Sequence, residues 1–276
     1  MKCALVIPAW SPGEIFSSRT AASQINYWQP LGTLYVAASL RAAGHEVRFY
    51  NGAFRGREEI LRELEAFAPS LVGLYSTAFG WNKARQAAAD VRRLLPGAFT
   101  VAGGPYPMYA GTGGLLDARE LDAVCTGEGE DALVELAARL ERGEPLDGLA
   151  GIVFRRGGAV VDNPPRPLIL DLDRLPFPAR DLLGDREVYV PPPATYRRTP
   201  VAVMITSRGC NRRCIFCFQI DRQRRHGIRR RSVDNVIEEI RHLVAAGYRE
   251  IKFLDDTLAA DRGRALEIAQ IGRAHV

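Results

Sequence analysis

Residues 201–217 read VAVMITSRGCNRRCIFC, in which a short apolar run is followed at once by three cysteines at spacing C-x3-C-x2-C. An apolar run of this length predicts a buried strand. The loop after it carries Cys210, Cys214 and Cys217, three of the five cysteines in the chain. Because barrel enzymes keep their active sites at the carboxyl ends of their strands, the sequence predicts a functional site in this loop.

A helix and a second strand are predicted after the cysteine loop. Ser232 is a suitable N-cap and Gly247 a suitable stop for this helix. Residues 250–256, EIKFLDD, then predict a strand. A strand, a loop, a helix and a parallel strand are the opening units of a second sheet or barrel. The apolar face of the helix is predicted to contain Val233, Val236, Ile237, Ile240 and Val244.

Residues 1–145 alternate between strand-like runs, such as LVGLY at 71–75, and helix-like segments. This alternation predicts an α/β domain with a doubly wound parallel sheet. Ligands of such sheets bind beyond the carboxyl ends of the strands. Here those ends read YST (75–77), GGPYP (103–107) and TGEGE (126–130). Glycine and hydroxyl residues fit a ligand site, but they also fit ordinary tight turns, so both interpretations stay open.

The composition changes after residue 145. GIVFRRGGAVV (151–161) predicts a hairpin that turns at Gly157 and Gly158, and the proline-rich residues after it predict an extended connector. The predicted divisions are a first domain over 1–145, the hairpin and connector over 146–195, a second domain over 196–269, and a terminal segment over 270–276.

The overall composition predicts a cytoplasmic protein. The chain is 47% apolar and 25% charged, and it has no apolar run near the roughly 20 residues of a membrane span. Its first residues, MKCALVIPAW, lack the features of a secretory signal. Cys3 and Cys125 lie in apolar runs and are predicted to be buried core residues.

Positive charge is concentrated near the cysteines. Eleven arginines lie between Arg197 and Arg231 in a chain whose net charge is +5. Such a cluster can bind nucleic acid, but few aromatic residues are interleaved for base stacking. We favour a solvated loop or a contact to an anionic cofactor or substrate.

Three kinds of chemistry are open to the cysteine loop. A structural zinc site needs a fourth ligand, for which His226 is the nearest candidate. A disulfide would leave one reactive thiol in a reducing compartment. Three thiolates can instead bind three irons of a four-iron cluster and leave the fourth iron open to a substrate or cofactor. The open iron favours the third interpretation, with zinc as the alternative.

The motif CNRRCIFC, with Phe216 directly before its last cysteine, resembles the signature of the radical S-adenosylmethionine enzymes. The resemblance implies that Cys210, Cys214 and Cys217 ligate a [4Fe-4S] cluster whose unique iron chelates S-adenosylmethionine. Reductive cleavage would give a 5′-deoxyadenosyl radical. Phe216 would lie beside the adenine.

The resemblance extends to about residue 269, since GGPYP, VCTGEGED, LPFPARDLL and IKFLDDTL occur in the order of radical enzymes with an N-terminal cobalamin-binding domain. It implies a Rossmann-like cobalamin-binding domain followed by the start of a partial (βα) barrel. Asp255 and Asp256 would receive the amine of S-adenosylmethionine. The implied cobalamin contacts are Ser76, Thr77, Gly103, Gly104, Tyr106, Gly127 and Glu128.

One feature departs from cobalamin domains of the methionine-synthase type. Their D-x-H-x-x-G motif is absent, and His45 in AAGHEV is predicted to be a polar turn residue. Tyr106 stands where many relatives have histidine. We therefore expect that no protein histidine ligates the lower face of the cobalt.

The end of the sequence predicts a truncated chain. A radical-enzyme barrel resembling this family needs about six βα units, but barely two strands precede the terminal QIGRAHV. IGRAHV resembles the translation of a sequencing-library adapter. The expectation is an authentic sequence that ends near Gln270 and a fragment that is inactive by itself.

The expected function is that of a cobalamin-dependent radical S-adenosylmethionine enzyme, in the first place a methyltransferase that acts on an unactivated carbon or phosphorus. Its expected partners are a small-molecule substrate and an electron donor of the flavodoxin or ferredoxin type. Three alternatives remain: a cyclase or rearrangement enzyme, a tRNA-modifying enzyme, and a non-catalytic cobalamin-binding protein with a structural metal knot.

Overall fold

The computed structural model describes residues 1–9, 27–221 and 225–274. Residues 222–224 of the arginine-rich run and the last two residues of IGRAHV lie outside the described part. No helix in the described ranges is both long enough and apolar enough to cross a membrane. The described residues form two compact units, of which unit 1 contains 1–9, 32–168 and 178–182, and unit 2 contains the others.

Unit 1 is built on a sheet with the strand order β2-β1-β3-β4-β5-β6-β7. The strands are β1 (Lys2–Ile7), β2 (Glu46–Asn51), β3 (Leu71–Tyr75), β4 (Phe99–Gly103), β5 (Ala123–Cys125), β6 (Ile152–Arg156) and β7 (Ala159–Asp162). The helices are α1 (Leu31–Ala42), α2 (Arg57–Phe67), α3 (Trp81–Leu94), α4 (Pro105–Asp117) and α5 (Gly129–Arg142). Strands β1 to β5 are parallel, which confirms the predicted doubly wound α/β fold.

Both faces of the sheet are buried, and this is why its strands read as continuous apolar runs. Val6 of β1 and Leu74 of β3 share one core cluster with Leu64 of α2. Elsewhere in the sheet, a Cβ atom at Gly73 would lie only 2.6 Å from Cδ2 of Leu5. Glycine at this position therefore makes room for the leucine of the neighbouring strand.

The predicted hairpin forms, but it belongs to the sheet of unit 1. β6 pairs antiparallel with β5, and Gly157 and Gly158 make the turn to β7 with positive φ angles of 55° and 88°. The prediction that the hairpin belongs with the connector over 146–195 is therefore wrong. An antiparallel strand needs no crossover helix, so the alternation of strands and helices did not include it. The proline-rich segment after β7 contains the short 3-10 turns Arg180–Leu183, Arg186–Val188 and Pro193–Thr195.

Helix α4 was not predicted. Its sequence PYPMYAGTGGLLD contains three glycines, which lower helix propensity. Gly111 has the non-helical angles φ 50° and ψ −128°, so the helix is kinked there. The kink divides α4 into two short helical pieces, and neither is long enough to show the regular apolar periodicity that predicts a helix.

Unit 2 contains the cysteine loop. Its elements are β8 (Val201–Met204), β9 (Ser207–Arg208), β10 (Arg229–Arg230), α6 (Val233–Ala245), β11 (Glu250–Phe253) and α7 (Arg262–Ala274). β8 and β11 are parallel neighbours, as the predicted start of a (βα) barrel requires. The Ser232 hydroxyl accepts the Asn235 amide at 3.1 Å, which confirms the predicted N-cap. Leu243 packs in the core of this unit, whereas Val244, predicted on the apolar face, is exposed.

A glutamine side chain contacts the backbone of β8. The Gln29 amide nitrogen donates to the Val201 carbonyl at 3.3 Å, and its oxygen accepts the Val203 amide at 3.2 Å. Gln29 is buried and also donates to the Tyr248 hydroxyl at 3.1 Å. The primary amide thus pairs with the strand as a neighbouring peptide would.

We predict that Gln29→Leu destabilises β8. The substitution leaves the buried Val201 carbonyl and Val203 amide without partners, at a cost of about 1–3 kcal/mol for each group. Hydrogen–deuterium exchange of peptides that cover 201–204 should accelerate. Gln270→Leu on the exposed face of α7 is the control. Equal exchange in the two variants would contradict a role for Gln29 in holding the strand.

Candidate functional site

The cysteine loop leaves and re-enters unit 2 through a narrow neck. Ser207 and Arg208 of β9 pair antiparallel with Arg230 and Arg229 of β10. Gly209 follows with φ 92°, and a Cβ atom there would lie 2.5 Å from the Gly227 carbonyl oxygen. Only glycine fits this crossing of the two chain segments. The neck fixes where the loop begins, one residue before Cys210.

The three thiols of the loop differ in exposure. Cys210 is 9% exposed, and its sulfur accepts the Arg212 amide at 3.4 Å. Cys214 and Cys217 are exposed, and the Cys217 amide donates to the Cys214 carbonyl at 3.3 Å to close a turn. All three are free thiols. The predicted ligands therefore lie on one loop, with the first seated at the neck.

The number and chemistry of these donors fit a cluster with three cysteine ligands. Within the described ranges, no three Cys, His, Asp or Glu side chains are already arranged to hold a metal ion. Binding of all three thiolates to one cluster therefore requires their side chains to come closer together. A ready-made four-ligand zinc site is likewise absent from the described residues.

The tip of the loop exposes two adjacent apolar side chains. Ile215 is fully exposed and Phe216 is 89% exposed. Exposed apolar surface next to polar residues is typical of a binding site. The position of Phe216 fits the predicted contact with a ligand of the cysteine loop.

The two aspartates after β11 have different surroundings. The Asp255 carboxylate accepts the Thr206 amide at 3.0 Å, the Thr206 hydroxyl at 2.8 Å, and the Ser207 hydroxyl. Asp256 is exposed. The two aspartates, for which the resemblance implies the same role, therefore differ in their contacts.

An ion pair that was not predicted lies behind the neck. The Arg231 guanidinium binds the Glu239 carboxylate, and the two side chains are only 4% and 1% exposed. The guanidinium also donates to the Ile205 carbonyl at 2.8 Å and to Asn235 at 2.7 Å. The signal for it was a glutamate within the apolar stripe of α6.

The arginine-rich run is not wholly a solvated loop, contrary to one of the favoured interpretations. Arg231 belongs to the buried ion pair, and the buried Arg229 donates to the Ile169 carbonyl at 2.6 Å. Arg212, Arg213 and Arg225 are exposed. The run therefore combines structural arginines at the neck with exposed ones on the loop.

In unit 1, the predicted ligand residues meet at the carboxyl ends of neighbouring strands. The Ser76 amide donates to the Gly103 carbonyl at 2.8 Å, and the Tyr106 amide donates to the Ser76 carbonyl at 3.4 Å. Gly104 has φ 105°, and a Cβ atom there would lie 2.6 Å from the Ser76 oxygen. These contacts bring YST and GGPYP together.

The other predicted residues of this edge differ in what surrounds them. The Ser76 hydroxyl donates to the Thr77 carbonyl at 2.8 Å, and the Thr77 hydroxyl accepts the Gly80 amide at 3.3 Å. A Cβ atom at Gly127 would have nothing within 4 Å, and Glu128, the N-cap of α5, is buried. Gly127 thus borders open space.

Tyr106 packs into unit 1. Its ring centroid lies 5.0 Å from that of Trp81, and it contacts the core cluster. Two aromatic residues near the same edge, Phe79 and Tyr109, are 78% and 67% exposed. Neither was predicted as a site residue, because Phe79 lies in a turn and Tyr109 in the unpredicted helix α4.

His45 lies at the opposite edge of the sheet. It directly precedes β2, and its Nδ1 is 3.2 Å from the N-terminal nitrogen. Burial and the nearby N-terminal ammonium lower the pKa of His45, so the ring accepts this hydrogen bond in its neutral form. In the described part of unit 1, no histidine lies at the carboxyl edge.

We predict that the exposed thiols of the cysteine loop react with an alkylating agent much faster than the buried thiols of Cys3 and Cys125. Burial raises the pKa of Cys3 and of Cys125 to about 11, so at pH 8 only about one thiol in a thousand of each is ionised. Iodoacetamide should label the exposed Cys214 and Cys217 in the native chain, as mass spectrometry would show. All five should react in denaturant. Rapid native labelling of Cys3 or Cys125 would contradict the buried sheet positions.

Two family models match the chain, one in each half. The B12 binding domain matches residues 20–137, and the Radical SAM superfamily matches residues 204–274. The first covers β2 to β5 with the glycine-rich edge, and the second begins in β8 and includes the cysteine loop. Their order is the order in which the structure places the two candidate sites.

Two curated relatives are named as a methyltransferase and a methylase. An uncharacterized methyltransferase of Pyrococcus horikoshii is 33% identical over 98% of this chain and 56% of the relative. Hopanoid C-3 methylase of Methylococcus capsulatus is 31% identical over 88% of this chain and 45% of the relative. The chain thus spans about half the length of these curated relatives.

A solved structure shares the fold. The radical S-adenosylmethionine methyltransferase TsrM of Kitasatospora setae, with cobalamin and a [4Fe-4S] cluster bound, has a TM-score of 0.68 and 21% identity, over 98% of this chain and 50% of TsrM. The match covers the sheet and the strand–loop–helix–strand unit. The chain belongs to the radical S-adenosylmethionine proteins that carry a cobalamin-binding domain.

Proposed function

We propose that the chain functions as a cobalamin-dependent radical S-adenosylmethionine methyltransferase. Cys210, Cys214 and Cys217 would ligate a [4Fe-4S] cluster, and the carboxyl edge of the unit 1 sheet would bind cobalamin. The observation that carries the proposal is a loop with three free thiols directly after β8. The order of the two family matches supports it.

The residues of the loop have distinct tasks in this proposal. When bound, the cluster supplies an electron to S-adenosylmethionine, and cobalamin supplies the methyl group. Cys210, which is already seated at the neck, anchors the site, while the exposed Cys214 and Cys217 are free to approach it. Phe216 provides an apolar face for the adenine of S-adenosylmethionine.

Cobalamin would lie against the ends of β3, β4 and β5. Gly103 and Gly127 leave room for a bulky ligand, since no atom lies closer than 4 Å to a Cβ atom built at either. The exposed rings of Phe79 and Tyr109 offer apolar cover, and Ser76, Thr77, Gly104 and Glu128 shape the edge. We propose that the cobalt has no protein histidine below it.

Methyl transfer is the reaction that the two relatives described above favour. The protein from Pyrococcus horikoshii is called a methyltransferase and that from Methylococcus capsulatus a methylase. We extend this to a small-molecule substrate with an unactivated carbon or phosphorus as the acceptor. Ring formation, rearrangement and tRNA modification use the same cluster chemistry and are the alternatives that product analysis would reveal.

An acidic electron carrier is the proposed reductant. Arg212, Arg213 and Arg225 are exposed on the loop that would carry the cluster. Flavodoxins and ferredoxins present carboxylates that such a surface attracts over short range. Charge complementarity would place the donor close to the cluster.

Anaerobic reconstitution with iron and sulfide tests the cluster. The chain should take up about four irons and four sulfides, and the electron paramagnetic resonance signal of the reduced protein should change when S-adenosylmethionine is added. Cys214→Ala should lose the signal, whereas Cys3→Ala, a buried thiol of β1, should keep it. Stoichiometric zinc without sulfide would instead make the loop a structural knot and refute the proposal.

A pair of glycine substitutions tests the cobalamin edge. Gly127 and Gly97 have no atom within 4 Å of a built Cβ and no positive φ, so the fold accommodates a side chain at both. Gly127→Leu should lower hydroxocobalamin affinity by about tenfold or more, because the side chain occupies the ligand space. Gly97→Leu, which lies before β4 at the opposite edge, should bind normally. Equal affinities, measured by absorbance titration, would place cobalamin elsewhere.

A further inference from the structure

The junction between β8 and the cysteine loop is fixed by side chains from three elements. Thr206, at this junction, is completely buried. Both Asp255 oxygens accept its amide, at 3.0 and 3.1 Å, and one of them accepts its hydroxyl at 2.8 Å. The same oxygen accepts the Ser207 hydroxyl. One carboxylate thus orders two successive residues of the chain.

Arg264 of α7 completes these contacts. It donates to the Thr206 hydroxyl at 3.0 Å, to the Thr206 carbonyl at 3.1 Å, and to the Arg231 carbonyl at 2.8 Å. The Arg231 amide also donates to the Thr206 carbonyl at 3.0 Å. Every polar atom of Thr206 therefore has a partner. We call Thr206, Arg231, Asp255 and Arg264 the junction cluster.

The junction cluster acts on the first cysteine. Thr206 is only four residues before Cys210, and Gly209 between them is confined by the Gly227 carbonyl. With both ends of this short segment fixed, Cys210 has little conformational freedom. This explains why Cys210 is buried at the neck while Cys214 and Cys217 are exposed.

Asp255 already accepts three donors. The hydroxyls of Thr206 and Ser207 both donate to Oδ1, and the Thr206 amide is shared between Oδ1 and Oδ2. Of the about four acceptor sites of an ionised carboxylate, about one, on Oδ2, is left. Asp256, by contrast, is exposed and makes no hydrogen bond within the part of the chain that the structure describes. The hydroxyl of the next residue, Thr257, is buried and has no partner among the described residues.

We propose that Asp255 is a positioning residue that places Cys210 for cluster binding, and that Asp256 is the carboxylate that receives the amine of S-adenosylmethionine. The resemblance had assigned both aspartates to the amine. The part that concerns Asp256 rests on the proposed function. The part that concerns Asp255 can be tested without any cofactor.

The test compares Asp255→Ala, Asp255→Asn and Asp256→Ala in the full chain. In the cofactor-free protein, hydrogen–deuterium exchange of peptides covering 205–210 should rise about tenfold in Asp255→Ala, because the Thr206 amide loses its acceptor. Asp255→Asn retains an acceptor oxygen and should restore part of the protection. Asp256→Ala should exchange like the wild type.

After anaerobic reconstitution, Asp255→Ala and Asp256→Ala should differ in iron content and in affinity for S-adenosylmethionine. Asp255→Ala should contain less than about half the iron of the wild type, yet its clusters should bind S-adenosylmethionine with an affinity within about twofold of normal. Asp256→Ala should contain normal iron and bind S-adenosylmethionine about tenfold more weakly. The shift of the electron paramagnetic resonance signal measures this affinity.

Two results would overturn the proposal. Normal iron with a lost S-adenosylmethionine effect in Asp255→Ala would make Asp255 the amine ligand. Unchanged exchange over 205–210 in that variant would remove its positioning role. If the wild type itself takes up no iron and sulfide, the proposed function fails and the Asp256 assignment falls with it, while the exchange experiment still decides the role of Asp255.

Discussion

The burial of Thr206 between Asp255 and Arg264 is the constraint on which the cysteine loop depends. A buried polar residue is tolerated only when its hydrogen bonds are made. Here Asp255 after β11, Arg264 of α7 and Arg231 after β10 all contribute partners. Hydrogen bonds to Thr206 thereby connect separate segments of the strand–loop–helix–strand unit. The loop that carries the exposed thiols therefore begins at a fixed base.

Unit 1 likewise combines a rigid sheet with an open carboxyl edge. Parallel strands buried on both faces fix the positions of β3, β4 and β5, and the backbone bonds between Ser76, Gly103 and Tyr106 fix their ends relative to one another. Function is left to short turns in which glycine keeps space open. In the proposed function, each unit would therefore support its cofactor site with hydrogen-bonded regular structure.

The sequence predicted what is local and missed what depends on distant partners. Apart from the glycine-rich helix α4, the strand and helix types followed from periodicity and turn chemistry, as did the Ser232 cap and the place of the cysteine loop. The burial of Leu243 instead of Val244 did not, because both positions fit a period of 3.6 residues. Asp255 contacts a residue 49 positions away, and Glu239 of α6 binds Arg231, which lies 8 positions earlier and outside that helix. No local pattern shows that a carboxylate has such a partner, although a glutamate in an apolar stripe indicates that one exists.

If Cys210, Cys214 and Cys217 bind a four-iron cluster, its fourth iron is open to S-adenosylmethionine. Mössbauer spectroscopy of the chain reconstituted with iron-57 can examine that iron, because the method distinguishes the irons individually. One iron in four should change its isomer shift when S-adenosylmethionine is added, while the three bound by the cysteines should not. Four irons that are all unaffected, or iron bound without sulfide, would rule out such a cluster.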